Sequence, residues 1–180
     1  MFNYVNSVNI LIHDIVREKI SRKNVAIDAT LGNGHDSDFL SSIFEKVYSF
    51  DIQKESTDKY IVKNKKNVKV ILDSHENFKN YINEEVDCII YNLGYLPGAN
   101  KHITTKVEST IKSINEGLDL LSKHGLMLIA IYSGHEEGSL EKDALLKLAK
   151  RLPTNKYGVL FSDFINRPNN PPSLLVIEKI

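Results

Sequence analysis

Ala26-Ile27-Asp28-Ala29-Thr30-Leu31-Gly32-Asn33-Gly34-His35-Asp36, led in by Val25, decides the fold. An apolar run ends in an acid, a turn with two glycines follows, and an amphipathic helix begins. Strand, glycine turn and helix are the way an α/β sheet receives a nucleotide-like ligand. Gly32 and Gly34 lack the Cβ atoms that would keep a ligand from the backbone. The turn is expected to expose N–H groups of the helix start, which favour polar or anionic groups.

A second acid stands where this reading needs it. Val47-Tyr48-Ser49-Phe50-Asp51 is another apolar strand ending in a carboxylate. Asp51 lies about twenty residues beyond the turn, the spacing at which an acid holds ribose hydroxyls. A carboxylate accepts two charge-assisted hydrogen bonds from a cis-diol. The G-x-G turn lacks the third glycine of the dinucleotide fingerprint, so the turn and Asp51 carry the signal only together. The plainer alternative is a shaped loop, with Asp51 as a helix N-cap.

The 180 residues suit one domain, expected to span 1–180, and 42% are hydrophobic. No apolar run approaches the roughly twenty residues a bilayer requires, and Asn3, Asn6, Asn9 and Asp14 interrupt the N-terminus, so no membrane partner and a cytoplasmic location are expected. The single cysteine, Cys88, rules out an intrachain disulfide and reads as strand packing. Formal net charge is zero, without the basic surplus usual for nucleic-acid binding. The basic run Lys63-Asn64-Lys65-Lys66 reads as a solvated helix end.

Val5, Val8, Ile12, Ile15 and Val16 recur at helical spacing, predicting an opening helix over about 4–21. Strands are expected at 25–29, 47–51, 68–72, 86–91, 125–132, 157–164 and 173–179. Phe39, Leu40, Ile43 and Phe44 mark the helix after the glycine turn; Val107, Ile111, Ile114, Leu118 and Leu121 mark the clearest one. Leu140, Ala144, Leu145, Leu148 and Leu152 mark another. Gly125 and Pro153 read as helix stops. The alternation predicts an α/β, doubly wound, seven-stranded, mostly parallel sheet. The last two strands have only a short connection and should form an antiparallel hairpin. That chain order resembles the Rossmann-like class I S-adenosylmethionine-dependent methyltransferases more than a nicotinamide-binding domain.

Ligands in such sheets bind beyond the carboxyl ends of the strands. The first end offers Asp28, Asn33, His35 and Asp36; the second, Asp51 and Gln53; the third, Asp73-Ser74-His75. Ser74 could also be no more than a cap. The fourth end, Asn92-Leu93-Gly94-Tyr95, has the spacing of the [Asp/Asn]-Pro-Pro-[Tyr/Phe] loop of methyltransferases acting on amino nitrogens. In that loop the Asn or Asp accepts from the amine and the ring stacks on a flat substrate, which orients the lone pair. Leu93-Gly94 replaces Pro-Pro here, and a plain turn with Tyr95 packed on the sheet is the alternative. The fifth end is Tyr132-Ser133-Gly134-His135-Glu136, where His135 reads as a base, a substrate contact or a helix-start residue. No H-E-x-x-H or paired-Cys spacing occurs, so no metal site is expected, and no G-x-S-x-G elbow is present.

Taken together, Asp28 to Asp36, Phe50-Asp51-Ile52-Gln53, Asp73-Ser74-His75, Asn92 to Gly98, Tyr132-Ser133-Gly134-His135 and Asn170-Pro171-Pro172-Ser173 through Lys179 resemble a family of small bacterial proteins long labelled putative rRNA methylases. Its members are regarded as S-adenosylmethionine-dependent tRNA methyltransferases acting on 5-aminomethyl-2-thiouridine at the first anticodon position. The resemblance covers nearly the whole chain. It implies that Asp28, Gly32, Asn33, Gly34 and Asp36 line the cofactor site, with Asn33 and Asp36 at the methionine end. Asp51 and Gln53 would hold the ribose and adenine edge, and Ser74 and His75 the adenine side. Asn92 and Tyr95 would face the amine, with His135 as the candidate for taking its proton. It also implies a homodimer and a tRNA partner. With zero net charge, RNA contact would need a local patch, for which Lys101, Lys106 and Arg167 are candidates, with Tyr132 nearby. Other classes consistent with the residues are a methyltransferase for ribosomal RNA or a small molecule, a non-catalytic nucleotide-binding module, and a nicotinamide oxidoreductase.

Overall fold

The computed structural model describes residues 5–93, 106–134 and 136–180. Seven strands form one sheet: β1 (Val25–Asp28), β2 (Lys46–Asp51), β3 (Val68–Leu72), β4 (Val86–Leu93), β5 (Leu121–Ile131), β6 (Tyr157–Ser162) and β7 (Ser173–Lys179). Their spatial order is β3-β2-β1-β4-β5-β7-β6. The first five pair parallel, and β7 runs antiparallel between β5 and β6. The helices are α1 (Val8–Lys19), α2 (His35–Ser41), α3 (Lys54–Ile61), α4 (Val107–Leu120) and α5 (Glu136–Ala149), with a 3-10 turn at His75–Asn80. The expected doubly wound sheet and terminal hairpin are both present.

Two apolar layers flank the sheet. One packs Ile27, Phe50, Phe78, Tyr91, Ile114 and Met127; the other packs Ile12, Val16, Leu40, Cys88, Ile90 and Leu128. β4 contributes to both through alternating residues, as a central parallel strand must when helices cover both faces. Cys88 is fully buried there, and burial first, then Asp36 and Asp87, pushes its thiol pKa well up. It is packing, as its strand position suggests.

Several boundaries moved. Helix α1 begins later than expected, because Ser7 caps it by accepting from the Ile10 N–H at 3.3 Å. Helix α2 stops at Ser41, so Ile43 and Phe44 belong to the following turn. Gly125 does not stop α4. The chain passes straight from Leu120 into β5 at Leu121, whose side chain is buried, and Gly125 lies within that strand. The register against β4 breaks between Val86 and Cys88, and His124 takes up the irregularity at φ 63°. The run Lys63-Asn64-Lys65-Lys66 is exposed, but Lys63 pairs with Asp38 at 2.6 Å.

The glycine turn is fixed by packing as well as by its dihedrals. Gly34 has φ 79°, and a Cβ there would come within 2.3 Å of the Tyr60 ring. Tyr60 in turn donates its hydroxyl to Asp38 on α2 at 3.0 Å. Gly34→Ala therefore combines left-handed strain with an aromatic clash, and should cost about 2–4 kcal/mol in urea unfolding. Adding Tyr60→Leu should recover the clash portion only; a strictly additive double mutant would refute the packing account.

Candidate functional site

The carboxyl ends of β1, β2, β4 and β5 converge on a set of carboxylates and their donors. Asp28, at the end of β1, is completely buried. Its carboxylate accepts from the Thr30 N–H at 3.1 Å and from the Ser37 hydroxyl at 2.5 Å, and Ser37 shares a 2.7 Å bond with Ser49 on β2. Burial, and then the nearby Asp36, raise its pKa to about 7. Asp28 thus braces the turn from beneath, and its full burial makes it a scaffold for the site.

The turn does not leave all its N–H groups free. Leu31 donates to the Phe50 carbonyl at 2.8 Å, and Gly34 donates to the Leu31 carbonyl at 2.6 Å. Gly32 donates to Asp51 Oδ2 at 2.8 Å, while Asp51 Oδ1 accepts from the Gln53 N–H at 2.8 Å. Asp51 therefore locks the glycine turn to the end of β2. A carboxylate has about four lone-pair positions, so each oxygen still has capacity for a hydroxyl. Asn33 is exposed in the turn, and Gln53 is half-buried at the start of α3.

At the third strand end, Ser74 does cap the 3-10 turn, accepting from the Glu76 N–H at 3.4 Å. The next residue, His75, is buried, and that burial lowers its pKa to about 4, so the ring is neutral. Its Nδ1 has no hydrogen-bond partner among the described residues.

The fourth end is the most constrained. Asn92 donates its backbone N–H to Thr30 Oγ1 at 2.8 Å and its side-chain Nδ2 to Asp36 Oδ2 at 2.5 Å. The other Asp36 oxygen lies 2.6 Å from His13 Nε2 on α1. Asn92 Oδ1 is buried and has no partner among the described residues. Asp36, expected on the cofactor side, has both oxygens engaged with His13 and Asn92. Tyr132, past β5, is 36% exposed; burial of the remainder raises its pKa, the Asn9 side chain opposing and Asp36 adding. Tyr95, Lys101 and His135 lie outside the described residues. Lys106 is exposed ahead of α4. Arg167, expected in an RNA patch, donates to the Asn6 and Val5 carbonyls at 2.8 and 2.5 Å and lies over Phe164. Its guanidinium ties the final hairpin to the segment before α1.

His13, Thr30 and Ser37 were not singled out from sequence. His13 had a signal: with Asn9 it forms an i, i+4 polar pair beside the buried Val8-Ile12-Val16 stripe. Among the described residues, no cluster of three or more His, Cys, Asp or Glu could hold a metal ion. No described helix is long and apolar enough to cross a membrane. A separate groove of about 690 Å³ between α4 and the 3-10 turn, lined by Lys79, Ile111 and Lys112, shares no residue with this site.

A sheet of this order with acids at its first two strand ends fits the nucleotide-like ligand expected from the sequence, and comparison with known proteins makes the reading specific. Residues 47–178 match the family described as putative rRNA methylase. The chain belongs to that family. A putative rRNA-methylase from Clostridium thermocellum is 35% identical, with a TM-score of 0.92 over 98% of this chain and 99% of that one. A putative methyltransferase from Streptococcus mutans, solved in complex with SAH, is 36% identical, with a TM-score of 0.88 over the same shares. The chloroplastic tRNA (mnm(5)s(2)U34)-methyltransferase of Arabidopsis thaliana is 29% identical over 93% of this chain and 68% of its own length.

In this family member the Asp28 pKa has a measurable consequence. Its folded value of about 7 exceeds the ordinary 3.8, so the folded state holds this proton more tightly. The favourable contribution is present below about pH 4 and is lost as pH rises toward 7. Asp28→Asn can keep the Thr30 bond and receive Ser37 as an acceptor. The difference in unfolding free energy between the Asn variant and wild type should therefore grow in the variant's favour from pH 4 to 7. A pH-independent difference would show that Asp28 does not titrate in that window.

Proposed function

We propose that this protein transfers a methyl group from S-adenosylmethionine to the amine of 5-aminomethyl-2-thiouridine at the first anticodon position of tRNA. One observation carries the reading: a buried carbonyl oxygen, Asn92 Oδ1, at the end of the central strand, which has no partner among the described residues. An amide oxygen accepts an N–H bond without the charge that would hold an amine as its cation. The name of the Arabidopsis relative supplies the acceptor class.

The donor set suits the cofactor. Asp51 retains acceptor capacity for ribose hydroxyls beyond its two backbone bonds. His75 Nδ1 is a buried polar atom in want of a partner on the expected adenine side. Gly32, Asn33 and Gly34 would border the methionine end, with Gln53 and Ser74 completing the adenine edge. The bound cofactor supplies an electrophilic methyl on a sulfonium. Asn92 orients the amine lone pair toward it, and Tyr95 stacks on the uracil. An ammonium has no lone pair, so the amine must bind neutral or lose its proton, a role we assign to His135. Lys101, Tyr132 and Arg167 would contact the RNA, and Arg167 also ties the final hairpin to the N-terminal segment. The same reading makes the protein a cytoplasmic homodimer. The family description keeps ribosomal RNA as the competing acceptor.

Purified protein should add one methyl to tRNA carrying the aminomethyl nucleoside, read by nucleoside mass spectrometry; methylation of ribosomal RNA alone would overturn the acceptor. Asn92→Ala should lower kcat on the order of a hundredfold with little change in S-adenosylhomocysteine affinity. Retained turnover with lost affinity would make Asn92 a cofactor residue instead. Asp51→Asn should weaken S-adenosylmethionine binding at least about tenfold by calorimetry, as for the loss of a charge-assisted bond.

A further inference from the structure

Helix α1 enters the site through His13, which none of the proposed roles uses. We propose that His13 is a positioning residue that acts through Asp36 to set which end of the Asn92 amide faces the acceptor amine. An Asn side chain can rotate half a turn and exchange its donor and acceptor ends. An ionised carboxylate only accepts, so Asp36 Oδ2 at 2.5 Å forces Nδ2 toward itself and turns Oδ1 the other way. Asp36 can do this only while its own carboxylate is held. His13 Nε2 holds it from the opposite side at 2.6 Å, carrying a hydrogen, since its neighbour is an acceptor. The imidazole plane is fixed in turn by stacking on Phe39, with centroids 3.7 Å apart and planes 9° from parallel. Asp36 and Phe39 lie three residues apart on α2, so one helix face grips both the edge and the face of the ring. The line His13, Asp36, Asn92 thus runs from α1 through α2 to β4 and ends at the unpartnered Oδ1.

The inference rests on the amine-acceptor reading, and its test has an arm that does not. His13→Leu removes the bond, whereas His13→Gln can restore an N–H donor near the place of Nε2. With both variants folded by thermal unfolding, His13→Leu should lower kcat at least about tenfold, as expected for loss of a positioning contact. KM for S-adenosylmethionine should stay unchanged, and His13→Gln should recover most of the rate. Adding His13→Leu to Asn92→Ala should cost nothing further, since the two act in series. The independent arm is NMR of protein labelled with ¹⁵N-asparagine. The Asn92 side-chain NH₂ signal, assigned by its loss in Asn92→Ala, should shift in His13→Leu and return in His13→Gln, whatever the acceptor. Additive rate losses, a parallel loss of cofactor affinity, failure of His13→Gln to rescue, or an unmoved Asn92 signal would each overturn the proposal. A moved signal in a protein that does not methylate the aminomethyl nucleoside would reject the acceptor and keep the positioning chain.

Discussion

The Asp36 carboxylate is the contact on which the rest of the site depends. It is only 7% exposed, and a buried charge is tolerated only with donors on its oxygens. Those donors come from α1 and β4 while the acid itself sits on α2. One desolvated group therefore fixes the relative positions of three elements distant in sequence. The same requirement explains why α1, outside the alternating βα pattern, is bound to the sheet by more than its apolar stripe. Arg167 adds a second tie, from the β6–β7 connection to the residues preceding α1.

Asp28, Asp36 and Asp51 crowd one sheet edge, and the crowding is managed differently at each. Asp51 is half-exposed and grips backbone N–H groups of two turns. Asp36 has a histidine and an amide. Asp28 has a hydroxyl and one N–H as its partners among the described residues, and burial and the neighbouring acid drive its pKa up to about 7. The acid farthest from solvent is thus the one most ready to take a proton and relieve the repulsion. The two acids nearer the surface keep their hydrogen-bonding capacity for the turn and for Asn92.

Much of the fold was legible. β1 and β2 are largely apolar runs that end in Asp28 and Asp51, and β3 and β7 occupy 68–72 and 173–179 as the pattern predicts. The terminal hairpin followed from a connection too short for a crossover. Gly125 misled because a glycine after a helical pattern usually ends it; here Leu121 was needed in the core, and the strand began at once. Ser74 caps the 3-10 turn, as a polar residue at a strand end commonly does.

The sequence by itself determined the sheet, the glycine turn and the acids at strand ends, because periodicity and turn chemistry are local properties. It also marked Asn92, since its spacing to Tyr95 is written in consecutive residues. Only the tertiary structure decided what those acids face. Gly32 and Asp51 are 19 residues apart, Asp36 and Asn92 are 56, and Arg167 and Asn6 are 161. No local pattern encodes a hydrogen bond across such separations. The partner of a buried carboxylate is set by which elements packing brings to it, and that is why His13, an unremarked residue on an amphipathic helix, lies in line with the amide at the centre of the site.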